Sequence, residues 1–142
     1  MRYLTRQFSV TALRRGRAVE QFLGGTEVHG ERAIRWVAIS PEDGQCRISL
    51  HTVRDPDDEN AGDLANFWSL DPVDEAYAGE GREIGTCGDE REALLLAERL
   101  TGADPGRWVN EGVAGDEYGD HVRGRRDISE PASGNPQRTL QR

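Results

Sequence analysis

Lysine is absent: all 18 basic residues of the 142-residue chain are Arg. A high-GC coding genome accounts for that bias. Its physical consequence is that every cation can form planar, bidentate pairs with carboxylates, and so tie an acidic surface to the rest of a fold. Cysteine is scarce, with Cys46 and Cys87 alone, which excludes a disulfide-rich scaffold and a four-cysteine zinc site. No apolar run approaches the roughly 18 residues of a membrane span. Arg6 breaks the apolar stretch that a secretory leader needs, which predicts a cytoplasmic protein with no membrane contact. Basic charge is in the minority, 18 residues against 26 acids, for a net charge of −8. Such a chain repels phosphate backbones unless a basic patch is segregated.

What is present is a polar but foldable chain of one domain's length. Hydrophobic residues make up 35% and charged residues 31%. The charge is unevenly spread. Residues 55–92 hold thirteen Asp/Glu and two Arg, a local charge of −11, whereas five Arg and no acid precede Glu20.

Periodicity divides the chain into elements. Leu4, Phe8 and Val10 alternate within residues 2–10 and predict an amphipathic first strand. Thr11 can cap a helix through about Leu23, with Leu13, Val19, Phe22 and Leu23 inward; Gly24-Gly25 would end it. Ala33–Ser40 reads as an inner strand, apolar on both faces. With the turn Pro41–Gly44 and the alternating run 45–53 it predicts a hairpin. Residues 54–63 form an acidic loop, and Leu64–Leu70 and Arg82–Thr86 read as short strands. Asp89 opens a helix with Glu92 at the capping-box position; Ala93, Leu96, Ala97 and Leu100 make its core stripe, and Gly102 ends it. Residues 116–123 suggest a final helix, and 124–142 a mobile tail. The expected architecture is a single α+β domain over 1–123, a mostly antiparallel sheet with helices packed on one face.

Most chemistry-bearing patterns are incomplete. Asp55, Asp57 and Glu59 have the spacing that starts a calcium loop, but position six is Asn60 and position twelve Asn66. His29, His51 and His121 are far apart, and neither Cys has a second ligand at zinc spacing. No metal and no cofactor is therefore expected. Cys87 stands near a helix start, where a thiol can be activated, although no base is assignable to it. The Gly-rich stretches around Gly79 and Gly112 lack a Lys and a strand–loop–helix setting.

A binding face is better supported. Phe67 and Trp68 sit amid Asp57, Asp58, Glu59, Asp63, Asp71, Asp74 and Glu75. Aromatic anchors ringed by acid suit a basic protein partner, because charge speeds encounter and the ring supplies desolvated contact. The competing interpretation is that the two rings are core, with acids keeping a sheet edge soluble. Both hold if one of the two adjacent residues faces out.

The stretch Asp89–Trp108 resembles the closing region of one class of small immunity proteins of bacterial polymorphic-toxin systems. The shared pattern is an acid-capped helix, then Thr-Gly-x-x-Pro, then Trp, carried here by Thr101, Gly102, Pro105 and Trp108. It covers about 20 of the 142 residues; the N-terminal Arg cluster and everything after Trp108 lie outside it. The resemblance implies a single α+β domain, no catalysis and tight binding to a cognate toxin. Toxins that act on nucleic acid carry basic sites, which an acidic protein can occlude.

Three functional expectations follow in order. The first is a non-enzymatic, acidic protein-binding module, immunity-like, acting through residues 55–80 on a basic partner. The second is a small enzyme with a pocket beside the sheet, using carboxylates or Cys87. The third is nucleic-acid contact through Arg14, Arg15 and Arg17, which the net charge disfavours.

Overall fold

A computed structural model describes residues 2–71 and 81–129. Residues 130–142 of the predicted tail, and Asp74 and Glu75 of the predicted site, lie outside the described residues. Helix α1 (Arg6–Arg14) leads into β1 (Val19–Val28), β2 (Glu31–Glu42), β3 (Gln45–Arg54) and, after a long connection, β4 (Arg82–Cys87). Helix α2 (Glu90–Thr101), the short β5 (Val109–Asn110) and α3 (Ala114–Ser129) complete the chain. All strands pair antiparallel in one sheet of order β4-β3-β2-β1-β5. The class is α+β, as the patterning implies. Among the described residues no helix is long and apolar enough to cross a membrane.

Two tight turns build the sheet's centre. His29-Gly30 and Asp43-Gly44 all have positive φ, the backbone that two-residue hairpins require. The predicted β2–β3 hairpin is present, its strands running one to two residues further than expected, so that Pro41 pairs with Cys46. Strand β2 buries both faces. Val37 and Ile39 join α1 and α2 in one core with Val10, Leu13, Ala93, Leu94 and Trp108. Ile34, Trp36 and Ala38 join α3 in the second, with Phe67, Tyr118 and Val122. Helices thus cover both faces; the expected one-face packing describes α1 and α2, and α3 adds a third layer.

The N-terminal reading is corrected. Residues 6–14 are helix, not strand, because the Thr5 side chain accepts from Phe8 N and caps it, and Val10 and Leu13 meet the core from one side. Gly16, at φ +82°, stops that helix. The predicted helix 11–23 is divided: residues 11–14 finish α1, a turn follows, and residues 19–23 open β1, where pairing with β2 outweighs the helical spacing of the apolar residues. Gly24-Gly25, read as a break, lie inside β1 next to a register shift between Phe22 and Gly24. Leu64–Leu70 is a 3₁₀ turn (Leu64–Asn66) plus one bridge, Ser69 to Val53, rather than a strand.

Helix α2 follows the predicted caps: Asp89 accepts from Glu92 N, and Gly102 is left-handed. Its buried residues are Ala93, Leu94 and Ala97, with Leu100 exposed. The stripe is rotated from the predicted one because α2 packs on α1 as well as on the sheet. Helix α3 runs to Ser129, so residues 124–129 are helical and not tail.

Gly115 and Gly119, one turn apart on α3, let the acidic loop lie on the helix. A Cβ would stand 2.5 Å from Gly62 O at the first and 3.0 Å from Glu59 O at the second. Gly115→Ala should therefore destabilise the protein by about 1–3 kcal/mol, although Ala is the better helix former. Gly124→Ala, with open space around it, should gain a few tenths of a kcal/mol to about 1 kcal/mol. Urea denaturation of the two variants checks the pair; equal gains would mean that the loop does not rest on the helix.

Candidate functional site

The acids of residues 55–63 do not form an open field. Asp55 is buried and its carboxylate accepts from Tyr118 Oη at 2.6 Å, from Arg125 at 2.8 Å and from Asp57 N at 2.9 Å. Asp57 pairs with Arg125 at 2.6 Å and Arg32 at 3.4 Å. Glu59 pairs with Arg126 at 2.9 Å and Arg123 at 3.5 Å. Burial opposes ionisation of Asp55, but Arg125, Tyr118 and the Asp57 N–H overcome it and bring the carboxyl down to about 2. Arg125 also lowers the Asp57 carboxyl. The arginines of α3 are what sequence reasoning missed. Their signal was the cluster Arg123, Arg125 and Arg126, which fell at or beyond the end of the predicted helix.

Two acids of the loop have no arginine partner among the described residues. Asp58 accepts from Asn60 N at 2.9 Å, and Asp63 caps the 3₁₀ turn by accepting from Ala65 N at 3.0 Å. Asp71 is buried and holds Arg82 through two hydrogen bonds of 2.5 and 3.0 Å, so it braces the end of the connection rather than presenting charge.

The adjacent rings divide between core and solvent. Phe67 is 7% exposed and meets the Tyr118 ring edge-on at 5.4 Å, whereas Trp68 is 66% exposed. The Trp68 backbone is anchored, its carbonyl accepting from Arg54 N at 2.8 Å, and Leu70 N donates to Thr52 O. Beside the Trp68 ring a socket of about 280 Å³ is lined by Arg54, Pro56, Asp58, Ala61, Asn66 and Phe67; the Arg54 guanidinium is paired with Glu31 at 2.7 Å.

A second concavity, of about 240 Å³, opens on the α3-side face of the sheet. Its floor is Ala38, flanked in register by Glu20 on β1 and Ser49 on β3. Next to that row the His51 ring stacks on Trp36 at 3.8 Å, and Ser49 Oγ lies 3.2 Å from His51 Nε2. Gly81 closes on the same imidazole, where a Cβ would be 2.7 Å from the ring. Glu20 Oε1 accepts from Gly112 N at 2.8 Å and Ala114 N at 3.1 Å, so the carboxylate also caps the approach to α3. Burial pushes the Glu20 carboxyl up to about 7 despite those two donors, and Asp63 and Glu111 add to the rise.

The remaining sequence candidates are distributed elsewhere. Cys87 lies opposite Cys46 across β4 and β3, against the other core, and does not line the cleft. No group of three metal-ligating side chains occurs among the described residues. Arg2 and Arg107 both pair with Glu117 on α3, Arg6 pairs with Glu98 and Arg14 with Glu90, and α1 ends before Arg15 and Arg17. The predicted helical arginine face is therefore not assembled. The residues behind the immunity-protein resemblance finish α2: Thr101 Oγ1 donates to Ala97 O, Gly102 supplies the left-handed cap, and buried Trp108 donates from Nε1 to Glu98 at 2.9 Å. None of them lines the socket or the cleft. No family model, no curated protein and no solved structure matches the chain.

Proposed function

We propose that the chain is a non-enzymatic protein-binding module of the immunity type, acting in the cytoplasm on a basic toxin, with Trp68 and Asp58 at the centre of contact. The observation that carries this reading is the exposure of Trp68, 66%, on a backbone tied to β3 through its own carbonyl and through Leu70 N. An exposed tryptophan held in place supplies a large contact area at little entropic cost. The socket suits an Arg or Lys of the partner. The cation lies over the indole face and its hydrogen bonds go to Asp58, an arrangement worth about 0.5–2 kcal/mol for the ring contact alone. Asp57, Glu59 and Asp71 serve a different purpose in this reading: their arginine partners keep the loop rigid. The net charge of −8 then acts at long range, speeding encounter with a basic surface.

The test is affinity capture from the native host with the wild-type chain, Trp68→Ala and Asp58→Asn, each at low and high salt. The expected result is one stoichiometric basic protein. Its association should slow as salt rises, and its retention should fall in both variants. Capture that ignores salt and both substitutions would overturn the reading.

A further inference from the structure

We infer that Cys46 and Cys87 are a reversible redox pair, which closes a cross-strand disulfide by exchange with a small-molecule disulfide of the glutathione class. The two are register partners on β3 and β4, and both thiols are free in the structure. Residues opposite one another project from the same face of a sheet, and both side chains pack into the core shared with α1 and α2. Pro41, the partner of Cys46 on β2, has no N–H, so that pair is not of the hydrogen-bonded kind. The N–H and C=O of Cys46 therefore turn toward β4. Its pairing with Cys87 is then the hydrogen-bonded kind, with Cα atoms about 5.5 Å apart, a common spacing for a disulfide. The Cβ atoms of such a pair must close by about 1 Å, so the bridge carries strain. Strained bridges are the readily reduced ones, which suits a switch rather than a permanent staple.

Access orders the two steps. Strand β4 is the edge of the sheet, Cys87 is half-buried at its end, and the space beside the next residue, Gly88, is open, whereas Cys46 is buried. The Cys87 thiolate attacks one sulfur of the small disulfide and expels one small thiolate. The Cys46 thiolate then attacks Cys87 Sγ of the mixed disulfide and expels the second. One S–S bond breaks and one forms; the chain gives up two electrons and two protons, and the small disulfide takes them up as two thiols. Burial pushes the Cys46 thiol up, with Glu90, Cys87 and Asp89 adding to the rise, which fits it to the second, intramolecular step. The ring so closed spans residues 46–87 and contains the acidic loop and Trp68. Oxidation thus ties the two ends of that segment together. The pair shares no residue with the Trp68 socket, so this inference and the binding reading can fail separately.

The test uses the full chain, reduced and then equilibrated with oxidised glutathione, and read by intact mass after alkylation in denaturant and by thermal denaturation. The wild type should become a monomer lighter by two hydrogen atoms with no alkylated thiol, and a dithiol reductant should restore it. Its Tm should rise by roughly 5–10 °C, because the bridge removes freedom from a long loop of the unfolded chain. Cys46→Ala should stop at a glutathione adduct on Cys87, for want of the second thiol. Cys87→Ser should stay unmodified and unshifted, and it keeps the test open if the core variant folds poorly. A persistent glutathione adduct on the wild type, a disulfide-linked dimer, two thiols that stay open to alkylation, or a bridged chain whose Tm is no higher would each overturn the proposal.

Discussion

Asp55→Ala should lower the unfolding free energy by about 3–5 kcal/mol, the usual cost of removing one partner from a buried ion pair. The Asp55 side chain is 1% exposed and is the node that joins the long β3–β4 connection to α3. Its loss leaves the Tyr118 hydroxyl without an acceptor and frees the Asp57 N–H. For a chain of this length the expected fall in Tm is roughly 10–15 °C. Asp55→Asn keeps acceptors for Tyr118 and for Asp57 N, and Arg125 still reaches Asp57, so about 1–2 kcal/mol should be lost. A loss below 1 kcal/mol in Asp55→Ala would mean that the node does not hold the loop.

The same carboxyl shapes the pH profile. Its folded value of about 2 is below its ordinary 3.8, so its contribution is present above about pH 4 and is lost as pH falls through 2. Glu20 has the opposite sign. Its folded value of about 7 is above 4.5, so its contribution is complete below pH 4.5 and is lost as pH rises through 7. Between them the two groups favour a stability maximum near pH 4–5. Asp55→Asn should flatten the acid limb of that profile and Glu20→Gln the neutral limb.

These long-range pairs also explain what the sequence conceals. The β2–β3 hairpin and α2 were legible because their signals are local: Asp43-Gly44 at the turn, alternation on either side, Asp89 and Gly102 at the helix ends. The N-terminal segment was not, because alternation over nine residues competes with a Thr5 cap, and tertiary packing decides between them. The pairing within the acidic segment was not legible for a different reason. Counting charge along residues 55–92 treats the segment as the field that a partner meets, but Arg125 is 70 residues from Asp55 in sequence and beside it in space. Periodicity did not reveal α3's role either, since its contact with the loop depends on the absence of side chains at Gly115 and Gly119. Adjacency alone predicted that one of Phe67 and Trp68 faces out. Which one does is set by Tyr118, against which only Phe67 packs.

That division yields the second large effect, a separation of stability from binding at neighbouring positions. Phe67→Ala removes a ring from the α3-side core and should cost about 3–5 kcal/mol of stability. Trp68→Ala removes a larger ring from the surface, where its backbone hydrogen bond to Arg54 is retained, and should change stability by no more than about 0.5 kcal/mol. Its effect on the partner should be of the opposite rank: a loss of at least about 2 kcal/mol of affinity, roughly thirtyfold in Kd, carried mainly by faster dissociation. Asp58→Asn should instead slow association and reduce its salt dependence, because the carboxylate acts before contact as well as within it. Denaturation and surface-binding kinetics on the three variants measure all of this with one partner preparation. If Trp68→Ala binds like the wild type, the socket is not the contact, whatever the partner is. If Trp68→Ala instead loses stability on the scale of Phe67→Ala, the ring is part of the core, and its exposure is not what selects a partner.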